Sequence, residues 1–184
     1  MNMLRSTIIT SGILAMTTAA VPHAQATANP ETNEISQISE QKSEGAMDQQ
    51  VKQFFTQFEK ANASSDVSAI GSLYAETFTF AGPGGVQMVK NADFIKVIPK
   101  MKMHLKALGL SETRLESVEV KSLGSKYLLA TVVWRMKIRN SSESKHVDAS
   151  ATYMLIRNEG DALSIVLQID HQDLASVVQS QLTK

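Results

Sequence analysis

The fold is decided by residues 127–139, which read Tyr127-Leu128-Leu129-Ala130-Thr131-Val132-Val133-Trp134-Arg135-Met136-Lys137-Ile138-Arg139. Apolar residues recur at every second position, and successive side chains of a β-strand point to opposite faces, so this period predicts a long strand. One face carries polar and charged groups such as Thr131, Arg135 and Lys137. The other needs a cover, which helices predicted earlier in the chain can supply. The apolar face consists of Leu128, Ala130, Val132, Trp134, Met136 and Ile138.

Three further stretches with the same period, 113–122, 146–158 and 162–170, predict neighbouring strands. Short turns separate them, and the Gly160-Asp161 pair between two alternating runs is typical of a hairpin. The four strands predict a sheet of consecutive antiparallel neighbours.

The residues before this sheet have the period of helices. Apolar side chains recur at steps of three and four from Met47 to Ala61, including Phe54, Phe55 and Phe58. Ser65 or Asp66 can cap a short second helix. A third helix is predicted from Asn91 to Leu108, with Pro99 as a kink or the start of a new turn.

Two shorter features complete the predicted elements. Phe78-Thr79-Phe80 and Val86-Gln87-Met88-Val89 predict a small hairpin around the turn Gly82-Pro83-Gly84-Gly85. Residues 174–184 contain regularly spaced apolar groups and predict a short helix or a tail.

The first 26 residues predict a signal peptide. Arg5 precedes an apolar stretch from Ile8 to Val21, and Ala24-Gln25-Ala26 matches a small-x-small cleavage pattern. A membrane anchor is the alternative, but polar residues interrupt the stretch and it is shorter than the roughly 20 residues of a bilayer span. We therefore expect a periplasmic or secreted protein without stable membrane insertion. Residues 27–46 are rich in polar residues and predict a flexible leader.

Composition excludes several classes of function. The chain has 18 basic and 18 acidic side chains, so it lacks the surplus of positive charge typical of nucleic-acid binding. It contains no cysteine, which excludes disulfides, thiolate metal sites and a cysteine nucleophile. The histidine spacings suit no metal site, and we expect no cofactor.

The order helix, helix, short hairpin, helix and four long strands resembles the nuclear transport factor 2-like superfamily, also called SnoaL-like. This resemblance implies an α+β domain over residues 47–173, in which a cone-like curved antiparallel sheet wraps around N-terminal helices as a cystatin-like or SnoaL-like α+β barrel. The segments that carry it are Phe54-Phe55-x-x-Phe58, Asp66-x-x-x-Ile70-x-x-Leu73-Tyr74, Phe78–Pro83, Ala151–Arg157 and Leu163–His171.

The resemblance also implies an open hydrophobic mouth that accepts a small apolar or amphipathic molecule. Enzymatic members place a carboxylate or histidine in this cavity, whereas the inward stripes inferred here are almost wholly apolar, so binding without a reaction is the leading hypothesis. Trp134 and Tyr153 are interpreted either as pocket wall or as ordinary core. The predicted pocket consists of Phe55, Phe58, Phe80, Trp134, Met136 and Tyr153.

Asp170 and His171 are the candidates for catalysis at the mouth. If the alternation of the last strand holds to its end, His171 continues the inward face and Asp170 points away from it. A slip in register reverses the two. Either group would then serve as a general base in an isomerase, cyclase or dehydratase, whereas a solvated strand end is the alternative.

The convex face of the predicted sheet and the third helix are the two surfaces for which the sequence suggests a partner. Members of the superfamily commonly dimerise through the convex face of the sheet, so the resemblance implies a homodimer, with docking of another protein as the alternative. The third helix is basic and either faces solvent or meets anionic lipid, the first being the ordinary explanation. Its basic residues, with the one preceding it, are Lys90, Lys96, Lys100, Lys102 and Lys106.

Overall fold

The structure of the protein is a computed structural model that describes residues 30–64, 66–139 and 144–182, with side chains for residues 45–64, 66–139 and 144–181. The described residues from position 39 onward form one compact unit. The predicted signal peptide, residues 1–26, lies outside the described residues. The helices are α1 Pro30–Ala63, α2 Val67–Gly71, α3 Asn91–Ala107 and α4 Leu174–Leu182. The strands are β1 Tyr74–Gly82, β2 Gly85–Lys90, β3 Leu110–Ser122, β4 Tyr127–Arg139, β5 Ser144–Arg157 and β6 Leu163–Asp170.

The first helix begins earlier than the apolar period indicates. α1 starts at Pro30, inside the stretch predicted as a flexible leader. Proline suits the first position of a helix because its missing N–H would be unpaired there in any case, and the glutamate and glutamine residues that follow are good helix formers. The apolar period locates only the part of the helix that packs on the core.

The six strands form one sheet in the order β2-β1-β6-β5-β4-β3. The sheet differs from the expected antiparallel, barrel-like sheet in two details. β1 lies parallel to β6, and β2 and β3 are open edges. The chain leaves the β1–β2 hairpin through α3 and enters the sheet again at the opposite edge, so the last strand returns beside β1 in the same direction. The α+β class is confirmed.

The core lies between α1 and one face of the sheet, which we call the inner face. α1 contributes Val51 and three phenylalanines, and the even-numbered residues of β4 with the odd-numbered residues of β5 lie opposite. These residues are buried because the period of three and four on the helix matches the period of two on the strands. The opposite face, the outer face, carries Arg135 and Asp148.

A β-bulge changes the register of β6. Ile165 pairs with Leu155. Met154, the residue before Leu155, pairs with Leu167 and not with Val166. The extra residue on β6 turns every later side chain to the opposite face. Asp170 therefore points inward and His171 outward, and the prediction from uninterrupted alternation is wrong.

A second bulge lies in β3 and is stabilised by α1. The register between β3 and β4 shifts between Leu115 and Ser117. The backbone N–H of Leu115 donates to the carboxylate of Glu59 on α1 at 2.9 Å. This contact joins the C-terminal part of α1 to the sheet.

α3 connects the end of β2 to the beginning of β3 and packs on β1. It continues through Pro99, and its end is marked by Gly109, which has a φ of +92°. A Cβ at this position would lie 2.6 Å from the carbonyl oxygen of Arg139, so only glycine fits. The Nζ of Lys102 donates to the carbonyl oxygen of Asn62 at 2.7 Å. This lysine of the basic helix therefore stabilises the contact between α3 and the end of α1.

None of the helices in the described part of the chain combines the length and the apolar character needed to cross a bilayer.

Candidate functional site

The inner face contains a chain of hydrogen bonds in an otherwise apolar wall. The hydroxyl of Tyr74 donates to Oε1 of Gln168 at 2.6 Å, and Nε2 of Gln168 donates to Oδ1 of Asp170 at 2.7 Å. Tyr74 is buried, whereas Gln168 and Asp170 are half-buried. The parallel pairing of β1 with β6 and the bulge before Leu167 bring these three side chains together. The chain of hydrogen bonds therefore runs from the core to a carboxyl group that solvent reaches.

The surroundings of Asp170 favour its neutral form. Burial raises the pKa of this carboxyl above its ordinary value, and the nearby Asp173 acts in the same direction. The hydrogen bond from Gln168 and the proximity of His171 oppose the shift without cancelling it. Burial also raises the pKa of Tyr74, to which Tyr153 and Asp170 add by charge repulsion. A raised pKa extends the pH range in which the carboxyl is protonated and can donate a hydrogen bond.

Tyr153 lies next to this chain of hydrogen bonds. Its hydroxyl accepts a hydrogen bond from Nε1 of Trp134 at 3.3 Å. Burial raises the pKa of Tyr153, so the phenol is neutral at physiological pH. The partner that a buried Tyr153 hydroxyl requires is thus supplied by the protein itself.

Four of the predicted pocket residues contact one another and fill the space between α1 and the sheet. The rings of Phe55 and Tyr153 lie 4.9 Å apart, those of Phe58 and Trp134 5.5 Å, and those of Phe55 and Trp134 6.2 Å, measured between centroids. Their tilted and edge-to-face arrangements are those of a packed aromatic core. At this level of the sheet, the described side chains therefore form core rather than the wall of an open recess.

The other two predicted pocket residues lie elsewhere on the inner face. Phe80 is half-buried and packs at the border of the core cluster. It pairs with Gln168 across the β1–β6 contact, so it lies beside the hydrogen-bonded chain. Met136 is buried but stands outside that cluster, toward the end of β4. The structure brings Phe80 near Asp170 and separates Met136 from the four rings.

His171 lies on the outer side of β6. Its Nε2 is 2.9 Å from Oγ1 of Thr152, and the side chain is exposed. It does not join the chain of Tyr74, Gln168 and Asp170. The alternation of Leu163, Ile165, Leu167 and Ile169 gives no signal of the altered register, because the bulge adds one residue without interrupting the apolar pattern.

The contact between Tyr74 and Gln168 in this site was not predicted from the sequence. Uninterrupted alternation places Gln168 on the outer face, and the spacing in the sequence does not reveal that β1 and β6 are neighbours. A polar residue inside an apolar strand was the available signal. Within the described residues, no group of three or more histidine, aspartate or glutamate side chains is arranged to hold a metal ion.

The outer face has an open depression of about 460 Å³ lined by Arg135, His146 and Asp148. The guanidinium of Arg135 donates to both carboxylate oxygens of Asp148, at 3.0 and 3.1 Å, and lies 2.9 Å from Glu116. The hydrogen bond from Arg135 lowers the pKa of Asp148. Because its charges already pair with one another, this depression is the weaker candidate for a site.

Comparison with solved structures gives the fold of this chain without its activity. An NTF2-like protein with a cystatin-like fold from Novosphingobium aromaticivorans is 15% identical, with a TM-score of 0.59 over 83% of this chain and 96% of the other. An NTF2-like protein of unknown function from Shewanella oneidensis is 14% identical, with a TM-score of 0.51 over 66% and 96%. A putative calcium/calmodulin-dependent protein kinase II association domain from Xanthomonas campestris is 12% identical, with a TM-score of 0.53 over 67% and 86%.

A comparison with functionally curated proteins finds no match. The profile of an NTF2-like family, DUF6841, matches residues 43–172. This match spans all six strands and the first three helices except the beginning of α1. The superfamily expected from the order of elements is confirmed, and the chain belongs to the NTF2-like family DUF6841.

Proposed function

We propose that the protein binds a small amphipathic molecule on the inner face of its sheet, with the polar end of the molecule on Asp170. The observation that carries this proposal is the half-buried carboxyl at the end of the Tyr74–Gln168–Asp170 chain. A polar group in an apolar wall costs stability unless it is satisfied, and one with a pKa shifted by burial is a common feature of binding and catalytic sites. The wider family fold supports a ligand-binding domain of this general kind.

Apolar side chains near the carboxyl favour a ligand that is mostly apolar. Phe94 of α3 packs on Tyr74 and Phe78, with ring centroids 4.9 and 5.2 Å apart. Phe80 pairs with Gln168 across the β1–β6 contact and gives the apolar part of a ligand a surface near Asp170.

Binding can be measured through Trp134, the single tryptophan of the chain. A panel of amphipathic molecules with a hydroxyl or amine head group is titrated against the full chain, with tryptophan fluorescence and melting temperature as the two readouts. We expect at least one head-group class to change both. Asp170→Asn should weaken that binding, and Asp161→Asn, an exposed carboxyl on the turn before β6, is the matched control. Unchanged fluorescence and melting temperature across the panel would overturn the proposal.

Proton transfer by Asp170 is a second candidate function. The raised pKa of this carboxyl favours it, because a group that titrates closer to neutral pH is a more efficient acid or base. The test is the uptake of solvent deuterium by carbonyl compounds with an acidic C–H bond. Uptake that depends on Asp170 and persists in His171→Ala would support an isomerase-like activity. Binding without deuterium uptake would support only the first proposal, binding without a reaction.

We further propose that the protein is a homodimer that pairs through the outer face. Val86 and Met88 on β2 are 75% and 79% exposed, and the pairing of strands places them on the same face as Leu167 and Ile169 of β6. Leu129 and Val133 of β4 continue this apolar stripe toward β3. The superfamily resemblance implies a homodimer, so we propose self-assembly rather than docking of a different protein.

Export is also a proposal, based on the sequence of residues 1–26. Mass spectrometry of the protein isolated from the cell envelope or the medium should find Thr27 as its first residue. An intact Met1 in that material would contradict cleavage.

A further inference from the structure

Four buried apolar residues lie outside the main core cluster: Met136, Ile138, Ala149 and Val178. The first three come from adjacent ends of β4 and β5, where Trp134 pairs with Ala149 and Ile138 with Lys145. Val178 belongs to α4 and has no exposed surface. These residues form a second, smaller apolar cluster between α4 and the ends of β4 and β5 that carry Ile138 and Lys145.

The position of α4 follows from the contact of Lys145. Residues that pair directly across two antiparallel strands point to the same face, so Lys145 shares the inner face with Ile138. The Nζ of Lys145 donates to the carbonyl oxygen of Gln181 at 3.3 Å, and α4 packs on β5. α4 thus covers the inner face, and Val178 lies one turn before Gln181.

The inner face of β5 has small side chains next to α4. β5 carries Ala149 and Ala151 on its inner face, whereas Tyr153 and Leu155 occupy the following inward positions. Both alanines are buried, and their small side chains leave a hollow in the inner face next to α4, which packs on β5. Ala151 pairs directly with Asp170, so the hollow adjoins the half-buried carboxyl.

We infer that α4 occupies the apolar half of the ligand site and must move for a ligand to bind. Val178 stands in for a branched aliphatic group of the ligand, whose hydrogen-bond donor would meet Asp170 at the edge of the hollow. This inference rests on the proposed function and identifies the ligand class as an aliphatic or aromatic body with one donor group. If α4 covers the site in most molecules, the apparent affinity is the intrinsic affinity multiplied by the fraction of molecules in which the site is open.

The contacts that hold α4 are ones that a ligand of similar size can replace. An apolar side chain, Val178, fills the hollow, and Lys145 supplies a hydrogen bond. The helix itself is stabilised locally, because Oδ1 of Asp173 accepts the backbone N–H of Ser176 at 2.7 Å. Residues 171 and 172 remain attached to β5, because the N–H of His171 donates to the carbonyl oxygen of Ser150 and the N–H of Ser150 donates to Oε1 of Gln172. The proposed movement of α4 therefore takes place about Asp173.

The experiment locks α4 in place in the full chain. Because the chain contains no cysteine, Lys145→Cys with Gln181→Cys introduces one pair of thiols, which a short bismaleimide joins. The probe is N-phenyl-1-naphthylamine, an apolar fluorophore with one N–H donor. We expect the cross-linked protein to bind the probe at least about tenfold more weakly than the same variant before cross-linking. Gln181→Cys treated with the same reagent is the matched control and should bind like the unmodified chain.

Removal of residues 174–184 is the complementary variant. It should bind the probe at least about tenfold more tightly than the full chain, because the closed state no longer exists. This result counts only if the truncated chain shows a cooperative melting transition. Ala149→Trp in the truncated chain should fill the hollow and abolish binding. If the truncated chain does not melt cooperatively, the cross-linked pair decides alone.

The outcomes separate this inference from the proposed function. Equal binding before and after cross-linking, combined with weaker binding of Asp170→Asn, would overturn the role of α4 and leave the ligand site intact. Absence of probe binding in a folded truncated chain would overturn both.

Discussion

Asp170 illustrates how a single residue gains its chemistry from its surroundings. The same carboxyl at the end of an ordinary strand would be solvated, whereas here it faces Ala151 and ends a chain of hydrogen bonds from the core. Partial removal of water disfavours its charged form. Its effect on stability therefore depends on pH.

The sign of this effect distinguishes Asp170 from the carboxyl of Asp148. The folded pKa of Asp170 is raised above the unfolded value of 3.8, so ionisation costs stability as the pH rises from that value through the folded pKa. Asp170→Asn removes the cost and keeps an acceptor for Gln168. We expect a higher melting temperature than the unmodified protein at pH 7 and no difference at pH 3.

Asp148→Asn is the control with the opposite sign. Its pKa is lowered by Arg135, so the charged form contributes stability that is present above 3.8 and lost as the pH falls through the folded pKa. This variant should melt at a lower temperature at pH 7 and match the unmodified protein at low pH. Parallel behaviour of the two variants would contradict the assignment of Asp170 to a desolvated site.

Phe55 is the residue on which the core depends most. It has no exposed surface, and its ring contacts those of Phe54, Phe58, Trp134 and Tyr153. Phe55→Ala should lower the free energy of unfolding by about 3–5 kcal/mol, because it leaves a cavity among rings that cannot collapse freely. Gln57→Ala, exposed on the same helix, should change it by less than about 0.5 kcal/mol. Urea denaturation measures both, and similar values would show that the four rings are not a packed unit.

At the scale of elements, the bulge in β6 and the bulge after Leu115 in β3 determine which groups the sheet presents to the residues packed on it. The bulge in β6 decides which polar groups face inward, and the bulge in β3 leaves the Leu115 N–H free to bond Glu59 on α1. Extra residues of this kind terminate regular pairing and redirect side chains. The candidate site and the anchoring of α1 both rest on these local departures from alternation.

Glu59 tests the contact between α1 and β3. Glu59→Ala leaves the half-buried Leu115 N–H without its acceptor and should cost about 1–3 kcal/mol of unfolding free energy. Glu59→Gln keeps an amide oxygen at the same position and should recover most of this loss. Equal destabilisation by the two substitutions in urea denaturation would show that the negative charge, rather than the hydrogen bond, carries the effect.

At the scale of the whole molecule, the outer face is the surface that the fold leaves uncovered. The helices pack on the inner face, while an apolar stripe from β2 to β4 remains in contact with solvent. Apolar stripes bordered by charged groups are typical of interfaces. Glu116, Arg135 and Asp148 form such a border.

The assembly can be tested by one charge on this stripe. Val133→Glu should convert the dimer to a monomer in sedimentation-velocity experiments, because burial of an unpaired carboxylate opposes association. Leu123→Glu, 43% exposed on the connection between β3 and β4, adds the same charge away from the stripe and should leave the dimer intact. A monomeric unmodified protein would contradict the proposed assembly.

Local patterns predicted most elements of this fold. The period of two located the long strands, the period of three and four located the buried part of α1, and Asp66 was identified as a possible cap for α2, where it accepts from the N–H groups of Ser68 and Ala69. These features follow from the sequence alone because they depend on residues a few positions apart, whose relative directions the backbone sets.

Only the tertiary structure decided which distant residues meet. The parallel pairing of β1 with β6, the inward turn of Asp170 and the aromatic packing of Phe55, Phe58, Trp134 and Tyr153 all depend on contacts between separate segments. A one-residue bulge adds almost nothing to the sequence pattern, yet it reverses every side chain that follows. The alternation in the sequence therefore determined that a sheet forms over helices, and long-range packing determined what its inner face contains.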